Sequence, residues 1–321
     1  MKRQSDIELY RCALTLGIVF LHTVGFYGQE WHWLSSMFVW CVPGFIFITG
    51  YFGCRFGISK IIKLYGVCLW CFPVSMLVGK YCGNVEMPFG MALLKEAWNA
   101  FLDNWFVHAY VGLMMLAPII NAVLAPVKQS KRIEDVIAQV GPFLFFVFGW
   151  SFLSNYNCVS PFIPKAPSCN VLTLLGTYVV ARLYRLCEAE EKIPQPLAWV
   201  LFIGCFIAAA LKIGKFNSVV ALGIVIGSFT VIRHIRLPNW LDWISTLAGP
   251  SMFSIFLLHS NGWCLQSLHA YVDCLASSGI PKVAAFFLLS LLVFFAGLLL
   301  DLPRRIIIAA AHGIYNAFFK Q

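Results

Sequence analysis

Arg11 and His22 stand eleven positions apart inside one apolar run, Ile7 to Phe26. At 100° and about 1.5 Å per helical residue, that spacing brings both to within about 20° of one face, roughly 16 Å apart along the axis. One helix face then carries a fixed cation near one end and a titratable imidazole deep in the apolar stretch. An unpaired charge inside a bilayer costs about 2.5 kcal/mol or more, so such residues point to function by default. The chemistry they suit is proton removal from a hydroxyl, a poor nucleophile until a base acts on it, by a side chain that titrates near neutral pH. The competing readings are an arginine that snorkels to the headgroups and a neutral core histidine bonded to a neighbouring helix. The shared register of the two argues against both.

The elements that must position this pair are membrane helices. The chain has 321 residues, 60% of them apolar, 16% aromatic and 12% charged, with a mean hydropathy of +0.80. An ordinary soluble domain is about 25% charged. Repeated apolar stretches near 20 residues exclude a β-barrel, whose strands alternate over about ten residues. The expected fold is an all-α polytopic bundle of about ten transmembrane helices. These fall near Leu9 to Tyr27, Leu34 to Phe52, Ile62 to Tyr81, Trp105 to Ala125, Ile137 to Leu153, Val171 to Leu186, Leu197 to Leu211, Phe216 to Ile232, Gly249 to Leu265 and Val283 to Leu302.

Basic residues set the orientation, because positively charged loops stay in the cytoplasm. With both termini inside, seventeen of the 23 lysines and arginines lie on the cytoplasmic side, among them Arg11, Arg55, Lys60, Lys63, Arg182, Arg185, Arg233, Arg304 and Arg305. The net charge of +9 then belongs to the inner face, where it attracts anionic membrane lipids rather than nucleic acid. The expected location is the inner (cytoplasmic) cell membrane. The basic N-terminus resembles a signal sequence that is retained, since Asp6, Glu8 and Arg11 interrupt it and no small-residue cleavage site follows.

The chain reads as a single domain, residues 1–321, with 304–321 a basic amphipathic cytoplasmic tail. In that tail Ile307, Ala311, Ile314 and Phe318 form one face that would lie on the inner leaflet. Two outer loops, Cys82 to Asn104 and Ser154 to Asn170, are candidates for a polar vestibule. Most of the twelve cysteines sit in or beside helices and behave as small hydrophobes. Cys68 and Cys71 form a C-x-x-C without further ligands, so no metal is expected. Cys158 and Cys169 flank the second loop expected outside, a location that permits a disulfide without requiring one. The tryptophans Trp31, Trp33, Trp98, Trp105 and Trp150 suit an interfacial belt better than sugar stacking.

Further motifs accompany the Arg11–His22 pair. The second apolar run contains Pro43-Gly44-Phe45-Ile46-Phe47-Ile48-Thr49-Gly50-Tyr51, the fourth runs from Trp105-Phe106 to Pro118-Ile119-Ile120-Asn121, and the ninth contains Ser254-Ile255-Phe256-Leu257-Leu258-His259. In order and spacing these resemble the acyltransferase-3 superfamily of integral membrane O-acyltransferases, in its form without an appended soluble domain. The resemblance implies transfer of an acyl group, usually acetyl from acetyl-CoA as donor, to a hydroxyl of a glycan, a lipid-linked saccharide or another polar acceptor. It implies His22 as the catalytic residue, deprotonating the acceptor hydroxyl or, alternatively, taking the acetyl group itself. Arg11, Lys60, Lys63 and Arg55 would hold the phosphates of coenzyme A, and His259, Trp105 and Tyr51 would face the acceptor. Lys60 and Lys63 stand where the family has Arg-x-x-Arg, which keeps the charge and loses the bidentate fork; as an ordinary cytoplasmic loop they would need no ligand. Gly44, Gly50 and Gly53 would permit either close helix packing or room for a pantetheine arm. The alternative function is a secondary transporter or flippase of a polar or lipid-linked substrate, for which paired broken helices would speak.

Overall fold

The computed structural model describes residues 4–25, 27–82, 90–129, 133–154, 171–211, 217–260 and 262–319. It is all-helical there. In chain order the helices are α1 (Ser5–Gly25), α2 (His32–Ser36), α3 (Cys41–Phe52), α4 (Ile58–Cys82), α5 (Met91–Asp103), α6 (Trp105–Leu124), α7 (Ile133–Ser154) and α8 (Val171–Leu186). There follow α9 (Ala189–Lys192), α10 (Gln195–Ala210), α11 (Asn217–His234), α12 (Asn239–Ala248), α13 (Met252–His259), α14 (Gly262–Ser277) and α15 (Lys282–Phe319).

Among the described residues, six stretches are long and apolar enough to cross a membrane: Ser5–Gly25, Gln29–Phe52, Ile58–Tyr81, Trp105–Val127, Asn239–His259 and Lys282–Ala311. The helices Gln195–Ala210 and Ser218–His234 are apolar but shorter. Helices occupy all ten places expected from the sequence, and six candidate spans make this a multi-pass membrane protein. The outward faces agree. Leu292, Phe295 and Leu299 on α15, at helical spacing, and Ile62 and Leu69 on α4 are all more than half exposed, an apolar area that a soluble protein rarely leaves open.

Several boundaries differ from the sequence expectation, each for a local reason. The second apolar run is not one helix: turns at Met37–Trp40 separate α2 from α3, and Pro43 sits in the first turn of α3, where its missing N–H costs nothing. The loop after Cys82, expected on the outer side, contains α5, whose only buried residues are Ala97 and Phe101; a helix that buries one narrow stripe gives little hydropathy signal. The candidate span expected at Gly249 to Leu265 begins at Asn239 and ends at His259, ten and six residues earlier, and a 3-10 turn at Gly249–Ser251 joins α12 to α13. The last helix continues through Pro303 to Phe319 rather than ending near Leu302. Prolines 73, 118, 142 and 303 all lie inside helices, each deleting one backbone hydrogen bond, a loss that neighbouring helices offset in membrane proteins.

The packing is organised around α1, which touches α2, α3, α11, α12, α13, α14 and α15. Its buried residues include Ile7, Tyr10, Leu14, Ile18, Val19 and Val24. Around it, α3 lies so close to α8 that a Cβ on Gly50 would stand 2.6 Å from the carbonyl oxygen of Tyr178 and 2.8 Å from the Ala181 side chain. That is small-residue helix packing, and it settles Gly50 as a contact rather than room for a ligand. Gly44 likewise abuts Leu14 of α1. The resulting core joins α1, α3, α6, α8 and α11 through Tyr10, Phe47, Phe106, Tyr178, Tyr184 and Phe229.

Candidate functional site

His22 is reached from α13. Its Nδ1 lies 3.0 Å from Nε2 of His259, and the two ring centroids are 5.1 Å apart. His259 is fully buried at the last position of α13, and its Nδ1 lies 2.7 Å from the backbone carbonyl oxygen of Ile255, one turn earlier. The chain thus breaks between His259 and α14 to leave an imidazole at a helix terminus, pinned by its own backbone and aimed at α1.

On the same face of α1, Arg11 and Ile18 line a cavity of about 270 Å³. Its other walls include Phe45 and Thr49 of α3, Leu64 of α4, Phe106 and Tyr110 of α6, and Phe253 and Phe256 of α13. Phe256 connects the cavity to the histidines, its ring centroid lying 6.3 Å from that of His22 and 6.2 Å from that of His259. Phe106 packs edge-on against Phe256 at 5.1 Å. The lining is apolar apart from Arg11, Thr49 and Tyr110, the last two joined by a 3.4 Å hydroxyl contact. Arg11 and His22 therefore both face the protein interior, as their register requires.

Arg11 is held by Glu8, one turn earlier, through a 2.8 Å ion pair in which the arginine side chain is one-third exposed and the glutamate 4% exposed. Glu8 in turn lies against Gly249, where an added Cβ would stand 1.9 Å from Oε2. Sequence reasoning noted Glu8 only as an interruption of the apolar run; the signal that identifies it is its i,i+3 spacing to Arg11.

The remaining expected site residues fall into other places. Arg55, Lys60 and Lys63 are exposed, with Nζ of Lys60 donating to the Arg55 carbonyl oxygen at 2.8 Å. Arg55 lies in the turn before α4, and Lys60 and Lys63, at its start, are within about one turn of the cavity residue Leu64. The turn that carries them is clamped. Asn121 donates to the Cys54 carbonyl oxygen at 3.0 Å, the Tyr178 hydroxyl donates to Asn121 at 3.0 Å, and the Cys54 N–H donates to that hydroxyl at 3.0 Å. Burial raises the Cys54 thiol above its ordinary range, with nearby Lys60 acting in the opposite sense.

Tyr51 belongs to a separate polar cluster. Its hydroxyl bonds to Glu190 and accepts from Arg185 at 3.1 Å, while Arg185 and Arg233 lie over its ring at 5.1 and 5.9 Å. Arg233 also pairs with Asp6 and Glu190. The structure does not bring Tyr51 to the histidines. Trp105 is 45% exposed at the start of α6, in ring contact with Phe106. Asp301, with no exposed surface, is paired in bidentate fashion with Arg304 at 2.6 and 3.0 Å.

Cys68 and Cys71 are free and fully buried on α4. Cys158, Cys169 and most of the segment Ser154 to Asn170 lie outside the described residues. Among the described residues, no three His, Cys, Asp or Glu side chains are grouped so as to hold a metal ion. Comparisons with family models, with curated proteins and with solved structures gave no match.

Proposed function

We propose that this chain is a membrane O-acyltransferase that moves an acyl group, acetyl by motif resemblance, from cytoplasmic acetyl-CoA to a hydroxyl of a glycan or other polar cell-surface acceptor. The observation that carries the reading is the hydrogen-bonded pair His22 and His259 beside a cavity that Arg11 lines from the same face of α1. In this reading both termini are cytoplasmic, the chain crosses the inner membrane ten times, and the Arg11 end of α1 faces the cytoplasm.

The cavity suits a slender group. At about 270 Å³ it lies just below the roughly 300–1,000 Å³ that encloses a drug-sized ligand. A pantetheine arm fits such a space and a whole coenzyme A does not, so the nucleotide and its phosphates stay at the rim, near Arg11, Lys60 and Lys63. The roughly 16 Å axial separation of Arg11 and His22 is then the length over which the arm carries the thioester. His22 accepts the hydroxyl proton as the acceptor oxygen bonds to the acyl carbon. The carbon–sulfur bond breaks, and His22 returns the proton to the departing thiolate.

The test supplies labelled acetyl-CoA to membranes containing the protein and follows label into the acceptor. His22→Ala is expected to abolish transfer while inserting and purifying normally; full activity in that variant removes His22 from the mechanism. A transporter is the second reading, favoured by the interruptions of two candidate spans at Met37–Trp40 and Gly249–Ser251. Substrate movement without acetyl-CoA consumption would decide for it.

A further inference from the structure

We infer that His259 is a positioning residue that fixes the tautomer of His22, so that proton acceptance falls on the Nε2 atom of His22. The inference deepens the acyl-transfer reading and rests on it for its catalytic meaning.

The protons follow from the hydrogen-bond partners. A backbone carbonyl can only accept, so the 2.7 Å contact with Ile255 requires a proton on Nδ1 of His259. A neutral imidazole carries one N–H, which leaves Nε2 of His259 as an acceptor. The 3.0 Å contact between that atom and Nδ1 of His22 needs a donor, and His22 must supply it. His22 is therefore protonated at Nδ1, and its lone pair lies on Nε2. The order of donation is His22 to His259 to the Ile255 carbonyl, with α13 as a fixed acceptor at the end.

The arrangement serves a base in two ways. A free imidazole divides its proton between its two nitrogens, whereas here the contact with His259 commits Nδ1 of His22 as the donor. When Nε2 takes a proton, both nitrogens of His22 become donors and the Nδ1–H bond to His259 gains ionic character, which roughly doubles its strength. The carboxylate of a serine-protease triad orients its histidine in the same manner. In the present pair the orienting group is neutral, which avoids burying a carboxylate at this depth. His259 thus acts through His22, whereas the motif resemblance alone had placed it at the acceptor.

Two measurements test the assignment. Nitrogen-15 NMR of the histidine-labelled full-length protein in detergent micelles reads the tautomer without any substrate. His22 is expected to carry its proton on Nδ1, and in His259→Ala it is expected to lose that preference. A proton on Nε2 of His22 in the unaltered protein would overturn the inference. In steady-state acetyl transfer, His259→Ala should lower kcat by about 100-fold or more with the KM for acetyl-CoA unchanged. His259→Gln, whose amide oxygen accepts from His22 and whose amide N–H reaches the Ile255 carbonyl, should restore kcat to within about tenfold. An unchanged kcat in the alanine variant, a change confined to the KM of the acceptor, or a glutamine variant as slow as the alanine one would each refute positioning. If the unaltered protein transfers no acetyl group, the acyltransferase reading fails, and the NMR result still decides the tautomer.

Discussion

Replacing Gly249 with alanine tests whether the packing at the α12–α13 turn sets the position of Arg11. Gly249 has φ −47° and ψ −42°, a conformation any residue adopts, so backbone freedom is not the issue. Space is. The new Cβ would stand 1.9 Å from Glu8 Oε2, whereas ordinary contact begins at 3.4 Å. The carboxylate must retreat by the difference, about 1.5 Å, the length of one carbon–carbon bond. Glu8 is 4% exposed and bonded to Arg11 at 2.8 Å, so it cannot swing into solvent and must drag the arginine from the cavity wall. Overpacking of this kind costs about 1–3 kcal/mol. Gly249→Ala should therefore lower thermal stability in detergent and raise the KM for acetyl-CoA. Glu8→Asp, one methylene shorter, makes the missing room. Combined with Gly249→Ala it should recover part of the lost stability, with a coupling of roughly 0.5–3 kcal/mol. Additive effects of the two substitutions, or an unaltered melting temperature in Gly249→Ala, would refute the reasoning.

Two other substitutions separate structural residues from the site. Tyr51→Phe removes a hydroxyl bonded to Glu190 and Arg185; it should cost about 1.5–3 kcal/mol in thermal unfolding and leave the acceptor KM unchanged. Asp301→Asn strands Arg304, whose side chain is only 14% exposed, so stability should fall by about 3 kcal/mol. Adding Arg304→Met to that variant should recover most of the loss, measured in the same melt.

The Arg11–His22 register was legible because both residues lie on one helix, where sequence spacing is spatial spacing. His259 was visible as a motif residue, but its partnership with His22 spans 237 positions, a distance over which no periodicity carries information. Lys60 and Lys63 were legible as a basic turn; the clamp that holds it, Asn121 and Tyr178 on the Cys54 backbone, comes from two other helices, α6 and α8. Tyr51 lay in a motif beside glycines and was read as part of the site. Its hydroxyl instead meets Arg185 of α8 and Glu190 of α9, with Arg233 of α11 over its ring; the count of basic residues had marked the two arginines only as inner-face positives. The break at Met37–Trp40 was hidden because apolar residues continue through it, whereas Gly249-Pro250-Ser251 was read as the start of a helix and not as a turn within a longer span.

The long separation of the two histidines also bears on biosynthesis. At about 5–20 residues per second, α1 leaves the ribosome tens of seconds before α13 exists, and during that interval Arg11 lacks the cavity walls that Met252, Phe253 and Phe256 supply. Glu8 answers this need from within the same segment: an i,i+3 pair lets the first helix enter the bilayer with that charge already neutralised and wait for the rest of the chain.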